Sequence, residues 1–232
     1  MAKSNFLTSA IGKKFVMGAT GLFLIVFLLV HCYANFQVFL PDGRERFGEI
    51  AHFLGTNLAT RVLEIGLIAF FLLHIIQGIM LEIQNRAKRP VKFAVNPGNK
   101  TSRWYSRSMG LLGTLILLFL IIHMVHFWAP NRLSQLAGNG EIDLYARMEL
   151  VFESGWVVLV YTLGCISLGW HLAHGFWSAF HTLGLSSFKY KKMIQTIGYV
   201  FAIVISLAFI SMPLAFHFGW IECIQSFFQW LS

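Results

Sequence analysis

Five long apolar runs constrain this chain more than anything else in it. They extend roughly over Phe15 to Phe39, Thr60 to Ile83, Ser108 to Trp128, Gly155 to Phe180 and Met193 to Trp220. Each reaches the ~20 residues that a helix needs to cross a bilayer. Lipid offers backbone N–H and C=O groups no partner but each other, so runs of this kind fold as helices. The expected architecture is therefore an all-α membrane protein of five transmembrane helices, a single domain over residues 1–232. Composition agrees, with 56% of residues hydrophobic and 12% charged, where a soluble domain carries about 25% charged residues. The first run is too long for a cleaved signal, and it follows Lys13 and Lys14 with no small-residue cleavage site. The stretches Gly43 to Asn57 and Asn131 to Glu153 read as connecting loops with room for one short interfacial helix each, and Glu222 to Ser232 as a short amphipathic tail.

The basic residues orient the spans. Lys3, Lys13 and Lys14 precede the first; Arg86, Lys88, Arg89, Lys92, Lys100, Arg103 and Arg107 separate the second and third; Lys189, Lys191 and Lys192 separate the fourth and fifth. The other two connections hold only Arg44, Arg46, Arg61, Arg132 and Arg147, among seven carboxylates. By the positive-inside rule the N-terminus and the two basic loops are cytoplasmic and the C-terminus lies on the far side. The net charge of +8 is thereby explained by orientation and anionic lipid, and no nucleic-acid partner is expected. Cys32, Cys165 and Cys223 have neither metal nor disulfide spacing, and no C-x-x-C-H occurs, so any haem is held non-covalently.

Four histidines lie at lipid depth on four different spans. At about 1.5 Å per residue, His31 and His123 each sit about 10 Å from the outer ends of the first and third spans. His74 lies about 20 Å below the outer end of the second and His171 about 25 Å below that of the fourth, allowing for tilt. One such histidine would serve equally as a proton relay or a hydrogen bond to a neighbouring helix. Two depth-matched pairs are what two six-coordinate b-type haems require, one in each half of the membrane. Gly164 and Gly175 share the helical face of His171, and Gly78 follows His74 by four residues, so those faces are cleared of side chains as an edge-on macrocycle needs. His126 and His174 each follow a candidate ligand by three residues; either is a ligand, a propionate partner or a packed polar group, the last two being favoured. His52 belongs to an outer loop, and His181 and His217 to span ends.

These residues carry a resemblance. Phe23 to Asn35 (FLIVFLLVHCYAN), Arg61 to Ile65 (RVLEI) with Leu73 to Gly78 (LHIIQG), Gly113 to His123 (GTLILLFLIIH) and His171 to Ser178 (HLAHGFWS) together resemble the cytochrome b558 family, the five-helix dihaem membrane anchors of succinate dehydrogenase and quinol:fumarate reductase. Ala87 to Val95 with Trp104 to Arg107 is similar to the inner loop of that group. The resemblance implies that His31 and His123 bind the outer, distal haem b, and that His74 and His171 bind the inner, proximal one. The fifth span holds no deep histidine and is read as a peripheral helix closing a haem-binding bundle of the first four. The resemblance also implies a flavoprotein subunit and an iron–sulfur subunit as partners, an inner (cytoplasmic) membrane location, and quinone, menaquinone by analogy with two-haem members. His126 and His174 would then lie outside the ligand set.

No Gly-rich nucleotide fingerprint or cysteine array is present, so dicarboxylate chemistry would belong to partner subunits. Quinone reduction or oxidation needs a proton carrier near a membrane face, and Glu64, Glu49 and His52 are the candidates. Glu64 stands about one turn inside the second span, where ionisation is disfavoured. Alternatively it pairs with Arg61 three residues earlier. Arg61, Lys14, Arg103 and Arg107 are eligible to hold haem propionates. Most tryptophans sit at span ends, as belt residues do; Trp170 is deeper and is expected to pack against the inner haem. Pro213 is expected to kink or end the fifth helix. Two other readings compete: a dihaem anchor of a different quinone-linked dehydrogenase, of formate dehydrogenase or hydrogenase type, and a haem-free membrane transporter.

Overall fold

The computed structural model describes residues 9–87, 104–185 and 187–231. Every regular element among them is helical: α1 (Ala10–Phe36), α2 (Gly43–Thr56), α3 (Leu58–Ala87), α4 (Trp104–Arg107), α5 (Met109–His123), α6 (Ala129–Leu136), α7 (Leu144–Phe152), α8 (Gly155–Thr182), α9 (Lys191–His217) and α10 (Ile221–Leu231). Among the described residues, five helical stretches are long and apolar enough to cross a membrane: Ile11–Phe39, Leu58–Ala87, Met109–Leu136, Gly155–Thr182 and Lys191–His217. Most of the basic inner connection, including Lys88 and Arg103, lies outside the described residues.

Local chemistry starts the helices where the sequence supplies a cap. The Ser9 hydroxyl accepts from Gly12 N at 3.0 Å and opens α1. Asn57 stands extended between α2 and α3, and its Oδ1 accepts from Ala59 N at 2.8 Å, so one residue turns the chain into the second span. Asp143 caps α7 by accepting from Ala146 N at 2.9 Å. That bond and the Arg44 guanidinium beside it hold its carboxyl below the ordinary carboxylate range.

The third span is not one uniform helix. After His123 the backbone widens into a π-helical segment, Met124–Trp128, and resumes as α6 through Pro130. Pro130 lacks the N–H that an α-turn would bring to the His126 carbonyl four residues back. Arg147 Nε donates to that carbonyl instead, at 2.9 Å. The fifth span likewise runs through its proline: Pro213 is buried and α9 continues to His217, so the helix is not ended at the proline.

α8 is the packing centre. It shares its largest interface with α9 and also packs on α1 and α5, while α3 leans on α1. One apolar core joins Ile25 of α1 to Leu172 and Phe176 of α8 and to Ile194, Ala202 and Ile205 of α9. A second lies at the end of the bundle where α1 finishes and α3 starts, where Phe47 of α2, Tyr145 and Met148 of α7 and Ile221 of α10 meet Tyr161 and Met212 of the spans. The two outer connections are thus a helical cap with its own core. Gln225 of α10 donates to Val38 O at 2.9 Å and ties the C-terminal helix to that cap. α3, by contrast, buries no residue.

Candidate functional site

Four helices bring four imidazoles to the middle of the bundle in two couples. His31 of α1 and His123 of α5 stand with ring centres 5.8 Å apart and planes at 89°. His74 of α3 and His171 of α8 stand 6.2 Å apart at 71°. The helices that carry each couple scarcely touch: neither α1 with α5 nor α3 with α8 forms one of the bundle's packed interfaces. Each couple therefore reaches across a gap that backbone packing does not close.

The surroundings of the two couples differ. The outer one is aromatic: Phe27 and Phe209 flank His31, and Phe119, Phe127 and Tyr161 flank His123. Around the inner couple, Thr20 of α1 lies 3.1 Å from His74 Nδ1, and a Cβ on Gly21 would approach the same ring to 3.5 Å. Nδ1 of His123 and Nδ1 of His171 are buried and have no hydrogen-bond partner. A buried polar atom left so is uncommon and asks for a reason.

The glycines divide. A Cβ on Gly175 would meet nothing within 4 Å, but one on Gly164 would lie 2.5 Å from the Phe119 ring. Phe119 therefore fills the hollow at Gly164, and only the Gly175 side of α8 stays clear. Trp170 is 46% exposed and meets Trp104 edge to face at 5.9 Å.

His126 Nδ1 lies 3.0 Å from the Tyr161 hydroxyl, with the two rings stacked at 9°. The π-helical register brings His126 to that position beside His123. His174 is half-buried one turn beyond His171 on α8. Lys14 is exposed near the start of α1 and Arg107 at the end of α4, and Arg61 is half-buried near the start of α3.

Glu64 has both oxygens engaged. Oε2 accepts from Arg61 Nη1 at 2.8 Å and Oε1 from Trp128 Nε1 at 2.7 Å. The chain of contacts continues from Arg61 Nη2 to Gln135 Oε1 at 2.5 Å, from Gln135 Nε2 to Glu141 Oε1 at 3.0 Å, and from Glu141 Oε2 to His52 Nδ1 at 2.7 Å. It ends at a pocket of about 380 Å³ between α2 and α7, lined by Arg44, Phe47, His52, Asn131, Glu141 and Tyr145 among others. Glu49 is exposed on α2.

A curated relative, the succinate dehydrogenase cytochrome b558 subunit of Bacillus subtilis (strain 168), is 24% identical to this chain over 195 residues, 83% of the chain and 89% of the relative. The chain is similar to a cytochrome b558. That likeness is far longer than any single motif, and it agrees with the resemblance read from the four histidine-bearing segments. No family profile and no solved structure matches.

Thr20, Tyr161 and the π-helical segment are not among the features that the sequence singles out. Thr20 had a signal, being the one hydroxyl between Phe15 and Val30, since a polar group at lipid depth must find a partner. Tyr161 and the π segment had none, because both depend on a helix register that composition does not encode.

Proposed function

We propose that this chain is the dihaem cytochrome b membrane anchor of a succinate:quinone oxidoreductase, relaying electrons between an iron–sulfur subunit and quinone. The observation that carries the reading is the meeting of His31 with His123 and of His74 with His171, at two levels, across helices that do not pack together. Metal–imidazole bonds of about 2 Å on opposite sides of one ion put the ring centres about 6 Å apart, close to both spacings found. Among the described residues no group of three or more His, Cys, Asp or Glu gathers as a cage for a bare ion. Two imidazoles suffice for a porphyrin iron, whose macrocycle supplies the other four donors. The clear face at Gly175 suits the flat ring.

Each haem b, when bound, supplies a one-electron carrier, and two stacked across the bilayer supply a path between its faces. The chain's own residues hold and surround that path. His31 with His123, and His74 with His171, would hold the two haem irons. Phe27, Phe119, Phe127 and Phe209 keep water from the outer couple. Arg61, Lys14, Arg107, His126 and His174 are the polar groups proposed for the propionates, Arg61 from its place on Glu64 and Gln135 and His126 with its ring anchored on Tyr161.

At the outer face Glu64, Glu49 and His52 are the proton carriers proposed for quinone: Glu64 is seated on Arg61 and Trp128, and His52 on Glu141. Quinone is taken to be menaquinone by the resemblance. The flavoprotein and iron–sulfur subunits dock on the cytoplasmic side of the inner membrane, where the basic connections lie. The optical spectrum of the purified protein tests the reading: dithionite reduction gives a b-type α-band near about 560 nm. A colourless protein removes it in favour of a haem-free transporter. Co-purification of a flavoprotein with an iron–sulfur subunit then separates succinate chemistry from anchors of formate dehydrogenase or hydrogenase type.

A further inference from the structure

Thr20 is fully buried and has three polar neighbours: Val16 O at 2.8 Å, Met17 O at 3.2 Å and His74 Nδ1 at 3.1 Å. Its hydroxyl carries one proton. Two of the neighbours are carbonyls, which only accept, so the proton lies toward them and Oγ1 turns a lone pair to the imidazole. His74 Nδ1 then bears the ring proton and donates to Thr20. In a neutral imidazole that leaves Nε2 unprotonated, the form that binds a metal.

We propose that Thr20 is a positioning residue that locks His74 in its ligating tautomer and strengthens it as an electron donor to the inner haem; this rests on the haem reading above. The other three histidines lack such an acceptor among the described residues. Nδ1 of His123 and of His171 has no partner. His31 Nδ1 faces Asn35 Nδ2 at 3.4 Å, an amide nitrogen that donates at 2.8 Å to the His31 carbonyl. The two haems therefore differ in ligand support, and the difference is concentrated in one hydroxyl. A donated Nδ1 proton raises the basicity of the ligating nitrogen and favours the ferric state.

Thr20→Val keeps the side-chain shape and removes the acceptor; Thr20→Ser keeps the acceptor. Both are compared with the parent protein by redox titration of the α-band, low-spin EPR and haem retention against an apo-haem acceptor. In T20V one haem rises in midpoint potential, changes its EPR signal and is lost at least about tenfold more readily, while the other haem is unchanged. T20S restores all three readouts. A haem-loaded T20V with both potentials and both retentions at parent values overturns the proposal alone, and so does a T20S shifted as far as T20V, since the hydroxyl then has no part. A parent protein without haem overturns this proposal together with the proposed function.

Discussion

At the scale of single residues, the proposal that pairs His31 with His123 and His74 with His171 predicts how substitutions combine. An iron that loses one axial imidazole loses much of its hold on the protein, so H31A or H123A is expected to leave about half the haem. The double variant H31A/H123A is expected to hold as much haem as either single one, because both changes strike one site. H31A/H171A is expected to hold almost none. Pyridine haemochrome content per protein reads these directly, and equal losses in the two double variants would refute the pairing. Non-additivity within a couple and additivity between couples is the pattern expected of groups that act as a unit. Glu64 illustrates how far residue-level reading reaches. Its depth in the sequence allowed either a protonated carboxyl or an ion pair with Arg61, and the structure has the pair, with Trp128 on the second oxygen. The tryptophan could not have been read in advance, because it approaches from another helix.

At the scale of elements, α8 separates two uses of glycine. Gly164 lets Phe119 of α5 lie against the α8 backbone, so Gly164→Ala drives a Cβ into an aromatic ring that also flanks His123. Overpacking of this kind costs about 1–3 kcal/mol, and thermal unfolding in detergent is expected to show the loss. Gly175 faces open space. Gly175→Leu is expected to leave the helix packing intact while lowering inner-haem content, since the added side chain enters the region proposed for the macrocycle. Unfolding temperature and haem stoichiometry should therefore move separately in the two variants; a G175L protein with full haem would count against that placement. Helix existence was legible from the apolar runs, whose length alone selects helices in lipid. The interruption after His123 was not, since a π turn follows from where Pro130 and Arg147 meet the His126 carbonyl, a contact between residues 21 apart.

At the scale of the whole molecule, the five spans and the histidine couples were legible because lipid imposes hard rules on length and on buried polar groups. The outer cap was not. α2, α7 and α10 are short, and their core depends on partners scattered from Val38 to Ile221, which no local pattern reveals. The cap also bears on orientation. It gathers the two connections poor in Lys and Arg together with the C-terminal helix at one end of the bundle, away from the helix ends that carry Lys13, Lys14, Arg86 and Lys191. If the positive-inside rule orients the chain, the cap faces away from the cytoplasm, and Cys223, exposed on α10, lies on that side. A membrane-impermeant maleimide is expected to label Cys223 in intact spheroplasts, with the signal absent in C223S. On the other side, Lys189 stands between α8 and α9, and a C223S/K189C protein is expected to react only after the membrane is opened. The reverse pattern would turn the molecule over and put the His31 and His123 couple nearer the cytoplasm, so that electrons arriving from the cytoplasmic side would meet that couple first.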